Sequence, residues 1–272
     1  MLPDKLDVSL PDMPFLGDHA ILGKAIVPAV ELLDFLLKVV DQHAPSRALS
    51  LGMRGVVFPR FLPADDIPRC RFEVGLAEAA HGIRATLSSR IALSNGMQRN
   101  RVHAEATFGS EGLCSTPPVQ EVSDYELAAD RVYRELIPFG RQFCNLRGTL
   151  RLAREGAWGK VESPTPPHPG PSRAGCPYLL DSAMHLACVW GQRFAGMIAY
   201  PTGFASRVVL SATPNGRRRC VVVPKGRGPR SLTYDLWLTD DDGQVCDAIA
   251  GLSMAPLAAA APPPAWIVEV RP

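Results

Sequence analysis

The chain has no CxxC pair, no long uncharged apolar run and no marked excess of charge, and each lack removes a class of protein. Its seven cysteines, Cys70, Cys114, Cys144, Cys176, Cys188, Cys220 and Cys246, are odd in number and scattered. That pattern fits free buried thiols in a reducing compartment better than a disulfide framework or a structural zinc site. A formal net charge of +2 argues against a nucleic-acid binder, which concentrates far more positive charge. The most apolar stretch, residues 26–40, is too short and too often charged to span a bilayer. The opening residues show no charged-then-apolar signal pattern, so a cytoplasmic location is the expectation. With 46% hydrophobic and 21% charged residues, the composition is that of a folded globular protein, and 272 residues can bury one large core or two of ordinary size.

What is present begins with a histidine. His19 stands in a glycine-punctuated loop between Gly17 and Gly23, just ahead of a segment, residues 29–40, interrupted only by Glu31, Asp34 and Lys38. Those three fall on one narrow helical stripe, so the segment predicts a helix buried nearly all round. Pro28 fits the first turn of that helix, where its missing amide proton has no partner to lose. Residues 47–61, 69–77, 82–94 and 99–108 then read as strands, with Asn95-Gly96 as a tight hairpin turn.

A Pro/Ser/Gly connector at 109–123 leads to residues 124–136, which read as an amphipathic helix capped by Ser123 or Asp124. Strands follow at 146–153 and 156–162, then a proline-rich loop at 163–176. The loop opens onto a second mostly apolar helix, residues 177–190, with Pro177 at its start. Further strands are expected at 206–212, 219–223, 231–239 and 244–256, with a turn at 240–243. The element order repeats: a buried helix followed by antiparallel strands, twice. The expected fold class is therefore α+β. It divides into an N-terminal half (1–112), a connector with a short helix (113–145), a C-terminal half (146–257) and a Pro/Ala-rich tail (258–272) lying over the surface.

Two polar groups sit beside the two buried helices, His19 before the first and Asp181 near the start of the second. A histidine is a natural general base near neutral pH, and a carboxyl group in an apolar setting can hold its proton and act as an acid. Taken alone, His19 reads more readily as a capping or core residue. Asp181 is harder to dismiss, because burying it among Leu179, Leu180, Met184 and Leu186 is costly unless it is paired or protonated. His185, four residues on, lies on the same helical face and can orient it. The helix N-terminus favours ionised Asp181 and apolar burial the neutral acid, and the sequence does not choose between them.

These residues resemble a known family. His19-x3-Gly23-x4-Pro28 is similar to the HxxxGxxxxP motif of polyketide synthase dehydratase domains, and Asp181-x3-His185 to their DxxxQ/H motif, with Pro177, Leu179 and Leu180 leading in. Pro138-Phe139-Gly140-Arg141-Gln142-Phe143 stands where the family has GYGPxF, and Tyr200-Pro201-Thr202-Gly203-Phe204 where it has an LPFS-like segment. The resemblance extends over nearly the whole chain. It implies a double hot-dog fold, two tandem halves each wrapping a sheet around a helix. It also implies dehydration of a 3-hydroxyacyl thioester on an acyl carrier protein to a trans-2-enoyl product, in polyketide or fatty-acid-like biosynthesis. By that likeness His19 removes the α-proton, Asp181 protonates the departing hydroxyl, His185 holds Asp181, and the Gly23 amide faces the thioester carbonyl. No cofactor and no metal are implied. The expected partner is the phosphopantetheine-carrying acyl carrier protein; hot-dog relatives are often dimers, so a homodimer through exposed strand edges stays open.

The chain departs from the family pattern at Phe139, where a tyrosine is usual, at Arg141, where a proline is, and at Cys176, where a histidine often opens the second motif. Phe139 and Arg141 keep an alternative alive: a non-dehydrating double hot-dog that isomerises enoyl thioesters or only binds acyl carriers. Other candidates are weaker. His103 and Glu105 share a strand face that reads as solvated rather than as a metal pair. Residues 240–243 lack the later ligands of a calcium loop. Arg217, Arg218, Arg219, Lys225, Arg227 and Arg230 read as a solvated hairpin; if they have a role, it is docking an acidic carrier.

Overall fold

The structure is a computed structural model that describes residues 2–44, 51–92, 97–109, 116–118, 123–164, 173–211 and 216–269. The first half contains β1 (Lys5–Val8), a two-residue hairpin of β2 (Ala20–Ile21) and β3 (Lys24–Ala25), helix α1 (Ala29–His43), and strands β4 (Leu51–Val57), β5 (Arg71–Ala79), β6 (Gly82–Ala92) and β7 (Gln98–Gly109). The second contains β8 (Tyr125–Ala128), α2 (Ala129–Glu135), β9 (Leu146–Ala153), β10 (Gly156–Glu162), α3 (Pro177–Trp190), β11 (Ala199–Val209), β12 (Arg217–Gly228), β13 (Ser231–Thr239) and β14 (Val245–Pro256). Twelve strands form one antiparallel sheet in the order β1-β5-β6-β7-β4-β11-β14-β13-β12-β10-β9-β8. The first-half strands occupy one end and the second-half strands the other. They meet where β4 pairs with β11, from Gly203 opposite Val57 to Val209 opposite Leu51.

At that seam Gly203 has a φ of 152°, and a Cβ there would lie 2.1 Å from the Val56 carbonyl oxygen. Any other residue would push the halves apart. α1 and α3 lie on the sheet and pack against each other. Every residue of α3 is buried, as are nine of α1. Full burial of one leucine stabilises by roughly 1.5–3 kcal/mol, so the Leu33, Leu36, Leu180 and Leu186 side chains, each at most 1% exposed, anchor the two helices. The one strongly exposed member of the charged stripe, Lys38, pairs with the buried Asp34 at 2.7 Å.

The structure corrects several boundaries. Residues 124–136 are a strand followed by a two-turn helix: β8 pairs with β9, and the N-cap is Ala128 rather than Ser123 or Asp124. Pro28 is the N-cap of α1, one position ahead of the first turn, and its carbonyl accepts from the amides of Glu31 and Leu32. β11 begins at Ala199, so the Tyr200–Phe204 segment is strand. The Asn95-Gly96 turn lies outside the described residues. The six described cysteines are free, four of them buried. No described helix is long and apolar enough to cross a membrane.

The tail runs over the surface and is anchored near its end. Ile267 is fully buried, and its carbonyl accepts from Arg193 Nη1 at 3.2 Å. The basic cluster is largely engaged within the fold: Arg217 pairs with Glu162, Lys225 with Asp235, and Arg227 donates to the Phe194 and Ala195 carbonyls.

Candidate active site

The hairpin β2–β3 presents His19. Its two central residues, Leu22 and Gly23, both have positive φ, 51° and 76°, as a primed two-residue turn requires. Leucine rarely adopts that conformation. The hairpin closes with the Ile26 amide donating to the His19 carbonyl at 3.0 Å. The His19 side chain is buried and its Nδ1–H donates to the Ile26 carbonyl at 2.8 Å. A carbonyl only accepts, so this bond leaves the lone pair on Nε2.

A second loop covers His19. The ring of Phe139 lies 4.4 Å from it and that of Phe143 4.9 Å. The loops are tied together at Asp18, whose carbonyl accepts from the Gly140 amide at 2.7 Å and whose Oδ2 accepts from the Gln142 amide at 3.0 Å. A Cβ at position 140 would lie 2.2 Å from Asp18 Oδ1, so glycine is required by close approach rather than by an unusual φ.

α3 supplies the carboxylate. Its Pro177 is at the first helical position, as expected, and Asp181 and His185, one turn apart, bring Oδ2 and Nε2 within 2.9 Å. Behind His185 stands Tyr133 on α2. The Tyr133 hydroxyl accepts from the Asn145 and Leu146 amides at 3.0 and 2.9 Å, which leaves its own proton for His185 Nδ1 at 3.3 Å. Nδ1 is then an acceptor and the ring hydrogen is on Nε2, whose 2.9 Å approach to Asp181 Oδ2 is a close polar contact outside hydrogen-bond geometry. Burial pushes the Tyr133 phenol well above its ordinary pKa and keeps that proton in place. Phe139 also packs on His185, at 5.1 Å, so it lies against both histidines.

His19, Gly23, Asp181, His185 and Phe139 all line one cavity of about 650 Å³ with mostly apolar walls. Burial lowers the pKa of His19, against the opposing pull of the Asp181 charge. For Asp181, burial raises the pKa, but the neighbouring His185 and His19 outweigh it, and the net direction is down. Among the described residues no group of three His, Cys, Asp or Glu could hold a metal ion.

Two residues go beyond the motifs. Tyr133 escapes a motif search because its two amide partners lie twelve and thirteen residues away. His103 is not on a solvated face: it is buried, its Nε2 lies 2.8 Å from Ser89 Oγ, and it lines the cavity. Glu105 accepts from the Thr86 hydroxyl instead. Burial also lowers the pKa of His103.

Both histidines therefore have pKa values lower in the fold than the 6.5 of the unfolded chain. The unfolded chain binds more protons below that value, so stability is complete above the ordinary histidine range and is lost as pH falls through it. Urea midpoints measured between pH 8 and pH 5 should decline, and less steeply in His103→Gln. An unchanged slope in that variant would remove His103 from the account.

Comparison with solved structures defines the fold class. The dehydratase domain of PpsC from Mycobacterium tuberculosis is 20% identical, with a TM-score of 0.73 over 93% of this chain and 92% of that one. The dehydratase domain of RzxB from Pseudomonas fluorescens is 17% identical, with a TM-score of 0.69 over 92% and 97%. The chain is a double hot-dog.

Its sequence also matches the family model described as "Polyketide synthase dehydratase N-terminal domain" over residues 112–264, more than half its length, and the chain belongs to the polyketide synthase dehydratase family. Curated relatives include the spectinabilin polyketide synthase system protein NorA of Streptomyces orinoci, 28% identical over 93% of this chain, and the polyketide synthase GfsB of Streptomyces halstedii, 26% identical over 92%. The chain spans 13% and 5% of their lengths.

Proposed function

We propose that this chain dehydrates a 3-hydroxyacyl thioester, carried on an acyl carrier protein, to the trans-2-enoyl thioester. The observation that carries the reading is that His19 and Asp181, contributed by separate halves, line one buried apolar cavity. In this reading His19 Nε2 takes the α-proton while the Gly23 amide steadies the charge growing on the thioester oxygen. The carbon–oxygen bond at the β-carbon then breaks as Asp181 gives its proton to the hydroxyl. Water leaves, a carbon–carbon double bond forms, and the proton held by His19 restores Asp181, so the cycle balances without an external acid. Pro28 and Gly140 hold the two loops, His185 and Tyr133 orient Asp181, and Phe139 packs between the histidines. We read the two halves as residues 1–112 and 146–257, and the protein as a cytoplasmic one in polyketide or fatty-acid-like synthesis.

The acid role requires a protonated Asp181, whereas its two histidine neighbours favour the carboxylate. An acyl chain filling the cavity removes what water remains at the largely buried carboxyl and adds to the burial effect that raises its pKa. Binding of a non-reacting 3-hydroxyalkyl analogue should therefore take up a proton, measured by calorimetry in buffers of different ionisation enthalpy. Binding with no uptake would mean Asp181 acts as a carboxylate.

Incubation with 3-hydroxyacyl carrier thioesters, with loss of water followed by mass spectrometry, tests the function itself. Turnover at no chain length would overturn it. Exchange of γ-hydrogens of an enoyl thioester with deuterated water would then identify an isomerase, and retention of the carrier without either reaction a binding protein.

A further inference from the structure

The polyketide synthase dehydratase site needs room for an acyl chain beyond the β-carbon, and the cavity continues past the catalytic pair. On α3, Met184, His185 and Cys188 follow Asp181 along the cavity wall. At 1.5 Å per residue, Cys188 lies about 10 Å beyond Asp181. Ile198 lines the cavity there too, and its carbonyl accepts from the Leu257 amide at 2.9 Å. From that point residues 257–269 run as a strap. Ala260, Ala261, Pro262 and Pro264 face the cavity.

The strap is fastened at its far end. The Arg131 guanidinium lies 3.5 Å from the centre of the Trp266 ring, and Ile267 is buried. The Glu269 amide donates to the Arg193 carbonyl at 2.9 Å, and the Glu269 carboxylate pairs with Arg154. Arg131 is on α2, whose last residues also line the cavity, and Arg193 follows α3. A segment that reads as a Pro/Ala-rich surface tail by composition is thus fastened over the cavity, with Ala260 half-buried and Ala261 and Pro262 exposed along its lining.

We infer that this strap is the specificity wall of the acyl site, and that Ala260 and Ala261 set the length of chain accepted beyond the β-carbon. This rests on the dehydratase reading, which fixes the direction of the substrate: thioester at Gly23, reacting carbons between His19 and Asp181, remaining chain toward Cys188. An aromatic ring at position 261 fills the space that a long chain needs. Loss of the Trp266 ring frees the fastening and opens the same space.

The test is a series of 3-hydroxyacyl pantetheine thioesters from four to twelve carbons, assayed for kcat/KM with the full chain, with Ala261→Phe and with Trp266→Ala. In Ala261→Phe the ratio of ten-carbon to four-carbon kcat/KM should fall roughly tenfold or more, the scale on which a pocket discriminates a few methylenes. In Trp266→Ala the ratio should rise. Equal scaling of every chain length in both variants would overturn the inference while leaving the wild-type dehydration intact. If the wild type dehydrates none of the series, the functional reading fails instead. Binding of saturated acyl pantetheines, read by tryptophan fluorescence of wild type and Ala261→Phe, then decides the wall separately: a length-dependent loss supports it and a uniform one overturns it.

Discussion

Replacing His19 with alanine should lower the single-turnover rate of dehydration by roughly 10²–10⁴-fold, and Asp181→Asn should do about the same, which is the usual worth of a positioned base or acid. The double variant should lose little more than either single one, because groups that act on one transition state are not additive. The geometry makes this expectation specific. His19 Nδ1 is committed to the Ile26 carbonyl, so only Nε2 can take a proton from substrate. Asp181 Oδ2 faces His185, and the asparagine variant keeps the shape of that contact while removing the titratable proton. Burial lowers the pKa of His19, so the activity of the wild type should persist at a pH below the ordinary histidine range before it falls. Near-normal turnover in either single variant, with folding verified, would discard the pair as the acid and base.

The largest effect on stability is expected at Arg207 and Asp247. Arg207 is only 2% exposed; its Nε donates to both Asp247 oxygens at 3.0 and 3.2 Å, and its Nη2 donates to the Ala174 carbonyl at 2.6 Å. Arg207→Ala leaves a buried carboxylate without its guanidinium, at a cost of about 3–5 kcal/mol. Replacing both charges together, Arg207→Met with Asp247→Leu, should recover much of that loss, since a well-packed apolar pair avoids the desolvation of two ions. Urea unfolding of the two variants measures it, and a double variant no better than the single would refute the argument. Because Ala174 lies just ahead of α3, the single variant should also loosen the entry to the helix that carries Asp181.

How much of this was legible in the sequence varies with how local the cause is. α1 and α3 were readable because their burial is written into a nearly unbroken apolar run, with Pro177 marking the start of α3. Residues 125–128 were not, since four residues cannot show a period, and their strand conformation comes from pairing with β9 about twenty positions later. His103 was misread because alternation tells that a strand has two faces but not which one meets the cavity. Tyr133 looks like any apolar-face residue of a short helix until the amides of Asn145 and Leu146 fold back onto it. The anchoring of the tail was not legible: its Ala and Pro content fits a segment lying over the surface, and only Trp266 and Ile267 hint at what holds it there.

The seam between β4 and β11 has a meaning for the chemistry as well as for the fold. His19 belongs to one half and Asp181 to the other, so the span between them is gauged by the register in which the two half-sheets join. Gly203 holds that register with a conformation and a clearance that no side chain tolerates. A slip of one residue would turn the facing side chains over and shift one half along the other by about 3.3 Å, the rise of a strand residue. The seam therefore works as a fixed calliper whose jaws are His19 and Asp181, and its setting is decided far from either of them.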